Sequence, residues 1–282
     1  MNKYTIANFN KDFPNDDTCL DWLKDYLYPE GIFCKYCSQV TKHHRVSNRP
    51  CYACDYCGNH VYPMAGTIFE KSTTPLKLWF YAIYLISSTR CGISAKQLQR
   101  ELGVTYKTAW RMFHQIRLLL DETPNPMSGE VELDETYIGG KRQGKRGRGA
   151  EGKTPVFGIA RREGKVVAVS TPDLQIATVY PIVKEHILPK STIYTDEYSI
   201  YDGLRKQGYS HKRVHHASKV WAIGNAHTNT IEGFWSLLKR SINGVYHSVS
   251  GKHLQSYINE YSFRYNHRED NSPLFKTILE RI

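Results

Sequence analysis

The sequence lacks any apolar run long enough to cross a bilayer. The longest, residues 76–86, is interrupted by Lys77 and falls well short of the roughly 20 residues a spanning helix needs. The opening MNKYTIANFNKDF is polar and holds no signal-peptide core, so a cytoplasmic protein with no membrane partner is expected. Acidic residues are few beside basic ones, 27 against 38, which leaves a net charge of +11 and a pI near 9.2. Such a surplus calls for a polyanionic partner, and nucleic acid is the usual one. No long basic amphipathic helix argues for an anionic membrane surface instead. Cysteine is not spread along the chain as in a disulfide framework, because five of the seven crowd into residues 34–57. The remaining composition, 40% hydrophobic and 23% charged over 282 residues, suits one large globular domain or two to three small ones.

Residues 18–28 have helical apolar spacing at Leu20, Leu23 and Leu27, and Cys34-Lys-Tyr-Cys37 and Cys54-Asp-Tyr-Cys57 follow. Two CxxC turns at this separation have the spacing of a four-thiolate zinc ribbon, each turn aiming two sulfurs at one tetrahedral ion. Cys51-Tyr-Ala-Cys54 is also a CxxC; the Cys54/Cys57 pair is favoured because Gly58 follows it, as knuckle turns often require. His43, His44 and His60 are alternative ligands but are expected at the surface. One Zn²⁺ held by Cys34, Cys37, Cys54 and Cys57 would supply folding energy rather than catalysis, since no coordination position is left for water. Cys19 and Cys91 read as buried thiols. This small domain is expected over residues 1–70.

Thr74-Pro75 opens an apolar helix. Ser94 and Gln97 open a second, shorter one that Gly103 ends, and Thr105 begins a third. A short helix, a glycine turn and a longer helix match the helix-turn-helix pattern, expected over residues 71–122. In the last helix Ala109, Phe113, Ile116 and Leu120 form the seam, while Lys107, Arg111 and His114 line a face suited to a DNA groove. Residues 123–130, with two prolines among 123–129, read as a linker.

Beyond it, Glu130-Val-Glu-Leu-Asp134 alternates, placing Glu132 and Asp134 on one face of a strand. Residues 139–153 form a glycine-rich basic loop whose Lys141, Arg142, Lys145, Arg146, Arg148 and Lys153 could grip phosphates. Two further strands, a helix over 177–187, a strand over 192–195 ending at Asp196, another over 209–214 and two final helices complete the order. Three strands, a helix and two strands are the order of a ribonuclease-H-like α/β mixed sheet, expected over residues 131–282. There the first and fourth strands are neighbours, so Asp134 and Asp196 converge, and the following helix brings Glu232 to them. Glu232, Ser236 and Lys239 share one helix face, with Lys239 about 10 Å along the axis from Glu232, while Ile231, Phe234, Trp235, Leu238 and Ile242 make the apolar stripe. Asn229 followed by Glu232 also has capping-box spacing. Three converging carboxylates repel one another unless cations neutralise them, and hard divalent ions, Mg²⁺ or Mn²⁺, are the natural partners. Two such ions about 4 Å apart support in-line displacement at phosphorus.

The paired CxxC turns, GTIFEKSTTPLKLWFYAIY, LGVTYKTAWRM, VELDETYIGGK, YTDEYSIY and NTIEGFWSLLKR together resemble the DDE transposases of bacterial insertion sequences, in the group with a zinc ribbon, a helix-turn-helix and an ISXO-like catalytic domain. The resemblance covers nearly the whole chain. It implies a metal triad of Asp134, Asp196 and Glu232, and a Lys239 that holds the transposon end, with Arg240 beside it on the DNA. Some relatives use asparagine as the third residue, which keeps Asn229 and His227 in view. It also implies a nucleoid-associated protein that binds terminal inverted repeats of double-stranded DNA as a homo-oligomer on paired ends, cleaves there, and joins 3′-hydroxyls to target DNA. The alternatives are a ribonuclease-H-like nuclease that cuts without joining, and an inactive or domesticated DNA-binding descendant.

Overall fold

The computed structural model describes residues 4–139, 152–214 and 227–282. Among the described residues no helix is long and apolar enough to cross a membrane. Two compact units divide the chain, one of residues up to Leu119 together with Asp270–Ile282, the other Leu120–Glu269.

The first unit opens with α1 (Ile6–Asp12), held by a reciprocal capping box between Thr5 and Asn8. Helix α2 (Asp16–Leu27) is capped by Asn15 and buries Cys19, Leu20 and Leu23. Burial pushes the Cys19 thiol up to about 12, so it behaves as a small hydrophobe. Then come β1 (Phe33–Cys34) and β2 (Gln39–Val40), paired with each other, and the three-stranded β3 (His43–Arg45), β4 (Tyr52–Cys54) and β5 (His60–Val61). Helix α3 (Leu76–Ser88) buries Trp79, Phe80, Ala82, Ile83 and Ile86. Cys91, expected in the core, is exposed; it lies in the turn after α3, beyond the last buried helical position. Helix α4 (Ala95–Leu102) runs from the Ser94 cap to Gly103, whose φ of 65° gives the left-handed stop that glycine supplies without strain. Thr105 then caps α5 (Tyr106–Leu118) by accepting from Thr108 N–H.

The second unit begins inside the segment read as a linker. Met127 is 4% exposed, its N–H donates to the His186 carbonyl at 2.7 Å, and its own carbonyl accepts from Leu188 at 2.8 Å, so this stretch belongs to the sheet unit. The strands are β6 (Glu130–Gly139), β7 (Lys153–Arg161) and β8 (Val166–Ser170), followed by α6 (Ile176–His186), β9 (Thr192–Thr195) and β10 (Ser210–Arg213). They form one mixed sheet of order β10-β9-β6-β7-β8. The pairs β6–β7 and β7–β8 are antiparallel, whereas β6–β9 and β9–β10 are parallel. The first and fourth strands are thus neighbours, as the order of elements along the sequence predicts. Helices α7 (Asn229–Ser241) and α8 (Gly251–Asn266) follow.

Strand alternation sends side chains to two cores. Val131, Leu133, Phe157 and Ile159 pack with Val179 and Val183 of α6 on one face. On the other, Ile138, Val156, Ala160 and Ala168 pack with Ile231, Phe234, Trp235 and Leu238 of α7 and Ile258 of α8. The sheet is therefore the middle of three layers. The last helix, α9 (Leu274–Leu279), belongs to the first unit, although the sequence reading runs the catalytic domain to residue 282. Its Phe275 stacks on Tyr4 at 4.8 Å and meets Phe9 edge-on at 5.9 Å.

Candidate active site and metal centres

The parallel register of β6 and β9 pairs Glu130 with Thr192 and Glu132 with Tyr194, and the same offset brings Asp134 level with Asp196. Because β9 stops at Thr195, its pairing with β6 ends at Glu132, and among the described residues no strand continues it beside Asp134. Asp134, Glu135 and Asp196 each bring one oxygen within 4.8 Å of the others. Glu135 is the residue that the sequence reading missed: alternation assigns it to the opposite face from Asp134, yet both bring an oxygen to Asp196. Glu232 is not one of these three. It is exposed on α7, and its Oε1 accepts from the Thr228 hydroxyl at 2.7 Å.

Each member of the cluster is oriented by a donor. Trp235 Nε1 donates to Asp134 Oδ2 at 3.0 Å, Tyr198 N–H to Asp196 Oδ1 at 2.9 Å, and the buried Tyr201 hydroxyl to Glu135 Oε2 at 2.8 Å. Desolvation, followed by the charge of Glu135, raises the Asp134 carboxyl from 3.8 to about 7. Crowding of negative charge thus disfavours the ionised cluster, and a cation is the partner its donor set fits. Oxygen-only acidic ligands of this kind suit hard divalent ions. Lys239 is exposed on α7. Surrounding protein holds its ammonium below the ordinary lysine value and Lys153 adds repulsion, while Asp134 pulls the other way. Arg240, next to it, is exposed and donates to the Ser236 carbonyl.

The space that Trp235 needs comes from a glycine. Gly158 stands opposite Asp134 in the β6–β7 ladder, and a Cβ there would lie 2.3 Å from Trp235 Cζ2 and 2.8 Å from Ile231 Cδ1. The sequence reading placed Trp235 in the apolar stripe, which is correct for its ring but does not reveal the hydrogen bond at its edge.

In the first unit, Cys34, Cys37, Cys54 and Cys57 each bring a sulfur within 4.8 Å of the others. Cys34 and Cys57 sulfurs are 3.5 Å apart, and those of Cys37 and Cys54 are 3.9 Å apart. A tetrahedral zinc thiolate site spaces its sulfurs by about 3.8 Å, so the four residues fit a closed structural site. The Thr41 hydroxyl, 3.2 Å from Cys54 Sγ, is the main cause that lowers that thiol to about 6, favouring the thiolate a metal needs. Cys51 lies outside the cluster and is fully buried. His44 and His60 are exposed and His43 half-buried; His44 pairs with Asp55 at 2.7 Å.

The residues read as DNA contacts have different settings. Lys107 is exposed on α5. Arg111 is exposed too, but Nη2 donates to the Glu70 carbonyl at 3.2 Å and its guanidinium lies 5.9 Å from the Trp79 ring. His114 is half-buried and stacks on Trp110 at 5.3 Å. Trp110 and Tyr106, which the sequence reading passed over, are 41% and 45% exposed on the same helix. Their spacing with His114, at every fourth residue, was the available signal. Lys141, Arg142, Lys145, Arg146 and Arg148 lie outside the described residues.

Residues 126–266, half of the chain, match the model of the ISXO2-like transposase domain. The chain is 28% identical over 292 residues to the uncharacterized protein in transposable element ISH50 of Halobacterium salinarum, covering 96% of this chain and 98% of that one. It is 33% identical over 118 residues to an uncharacterized transposase-like protein of Haemophilus influenzae, covering 42% of this chain and 93% of that one. Among solved structures, it overlaps the Mos1 strand transfer complex with 9% identity and a TM-score of 0.30, over 72% of this chain and 74% of that one. The simian T-cell lymphotropic virus intasome overlaps with 14% identity and a TM-score of 0.30, over 64% of each chain. On the match of its sheet unit, this chain belongs to the ISXO2-like transposase family of insertion sequences.

Proposed function

We propose that the chain binds the inverted-repeat ends of its element, cleaves there and joins the 3′-hydroxyls to target DNA, in a ribonuclease-H-like sheet unit. The observation that supports this best is the convergence of Asp134 and Asp196, with Glu135, at adjacent strand edges. Divalent cations held there would polarise a phosphate and lower the pKa of an attacking hydroxyl. Asp134 and Asp196 would hold the cation, with Glu232 as the third ligand and Glu135 as its rival for that place. Asp134 would hold the cation as a carboxylate, and Trp235 fixes the direction of that carboxylate. Lys239 grips the phosphate backbone of the end, and Arg240 extends the basic face. Helix α5 reads the end through Lys107, Arg111 and His114, and the basic residues between 141 and 148 add phosphate contacts. The four cysteines would hold a structural zinc, and pairing of ends calls for more than one copy of the chain.

An in vitro cleavage and strand-transfer reaction on end DNA in Mn²⁺ tests this reading. Asp134→Asn and Asp196→Asn should each abolish both steps while end binding persists. Of Glu232→Gln and Glu135→Gln, the one that is equally dead marks the third ligand. Joining by the Asp196→Asn protein at the wild-type rate would sink the proposal.

A further inference from the structure

Glu132 shares a face of β6 with Asp134 but has no part in the acid cluster. Its side chain is 0% exposed, and a buried carboxylate persists only when its lone pairs are matched. Here they are matched by the start of α7. Thr230 and Ile231 N–H donate to Oε2 at 2.8 and 3.0 Å, and the Thr230 hydroxyl donates to Oε1 at 3.1 Å. These two N–H groups are among the orphan donors of a helix N-terminus. The Thr228 cap supplies no side-chain bond to them, and Asn229, which capping-box spacing nominates, is inside the helix rather than at its cap. An acidic side chain from a strand therefore does the work of the missing cap, at the positive end of the helix dipole.

A second group fastens Glu132 itself. Arg162 Nε donates to Glu132 Oε1 at 3.0 Å, Nη1 to Glu130 at 3.3 Å, and Nη2 to the His227 carbonyl at 2.7 Å. Its guanidinium lies 3.8 Å from the centre of the Tyr194 ring, and the Tyr194 hydroxyl donates to Glu130 at 2.6 Å. His227 Nδ1 stands 3.3 Å from Glu132 Oε1 without making a hydrogen bond. The chain entering α7 is thus clamped to β6 and β9, the two strands that present Asp134 and Asp196. One residue past the clamped N–H groups comes Glu232, and a turn further Trp235, which holds Asp134.

We infer that Glu132 is a positioning residue of the active site: its buried carboxylate sets the register of α7 against β6 and so fixes where Glu232 is presented, one turn before the Trp235 indole that holds Asp134. The assignment rests on Glu232 being the third ligand. A purely structural Glu132 would cost stability when replaced but leave cation binding by the folded protein as it was. A positioning Glu132 must act through Glu232.

The test is Mn²⁺ titration of the full-length chain, with free ion read by electron paramagnetic resonance, for Glu132→Gln, Glu232→Gln and the double variant, all confirmed folded by circular dichroism. Glutamine keeps the shape but turns an amide toward Arg162. Glu132→Gln should weaken Mn²⁺ about tenfold or more, the usual scale for a residue that orients a ligand. Adding Glu232→Gln to it should cost less than about twofold more. Wild-type affinity in Glu132→Gln, or equal losses from Glu232→Gln in both backgrounds, overturns the assignment. A Glu232→Gln protein that binds Mn²⁺ like the wild type overturns the ligand reading instead, and the assignment falls with it. Should Glu132→Gln not fold, Arg162→Lys loosens the same clamp through its guanidinium fork and must show the same non-additivity, additive losses again being fatal.

Discussion

Asp134 carries a conflict between function and stability. Its carboxyl titrates near 7 rather than 3.8 because burial and the neighbouring Glu135 disfavour the charge. Between those values the unfolded chain releases a proton that the folded protein keeps. Raising the pH through that window therefore removes stability, and above about 7 the loss is complete. Without added Mg²⁺ or Mn²⁺, Asp134→Asn should melt above the wild type at pH 8, by on the order of 2 kcal/mol, and the gap should close as pH falls toward 4. Saturating Mn²⁺ at pH 8 should reverse the order, since only the wild type gains from binding. A variant that melts lower at pH 8 without the ion would show that the charge is not the strained element. Asp134 and Asp196 could be found along the sequence because each stands at the end of a strand-like stretch, and the order of elements makes those two strands neighbours. Glu135 could not, because alternation sends it to the opposite face of the strand from Asp134.

At the scale of the element, α7 was legible in part. Its apolar stripe and the shared face of Glu232 and Lys239 follow from helical periodicity alone. Its start did not, since local spacing nominates Asn229 whereas the carboxylate that satisfies the helix comes from 98 residues earlier in the chain. No local pattern reveals a cap supplied by a strand. The cysteine knuckles are the opposite case, because both turns are local, and Gly58 after the second already favours the four sulfurs that converge. Elemental analysis should find about one zinc per chain. Cys54→Ser should lose the metal and unfold the short strands, and Cys51→Ser, altering a buried thiol outside the cluster, should retain it. Loss of zinc from Cys51→Ser with retention in Cys54→Ser would reverse the assignment.

At the scale of the whole molecule, the net charge of +11 forecasts binding that weakens steeply with salt. Lys107→Ala on α5 tests whether that charge is used there. If Lys107 meets a phosphate, end binding should weaken for every sequence and the slope of log K against log salt should flatten by about 0.9. If it meets a base edge, the loss should be about 1–3 kcal/mol and confined to the element's own ends. Unchanged affinity and slope would move the DNA-reading surface away from α5. The mixed sheet was legible from the order of elements, but the division of the chain was not, because the apolar spacing of α9 does not say which core it completes. Phe275 completes the first unit, beside Tyr4 and Phe9, although the chain leaves that unit at Leu119 and re-enters only at Asp270. Ribosomes add about 5–20 residues per second. The aromatic bed of Tyr4, Phe9 and Tyr84 therefore waits roughly ten to forty seconds for its last ring. During that interval the whole of Leu120–Glu269 is synthesised, so the unit that begins first in time is the one that finishes last.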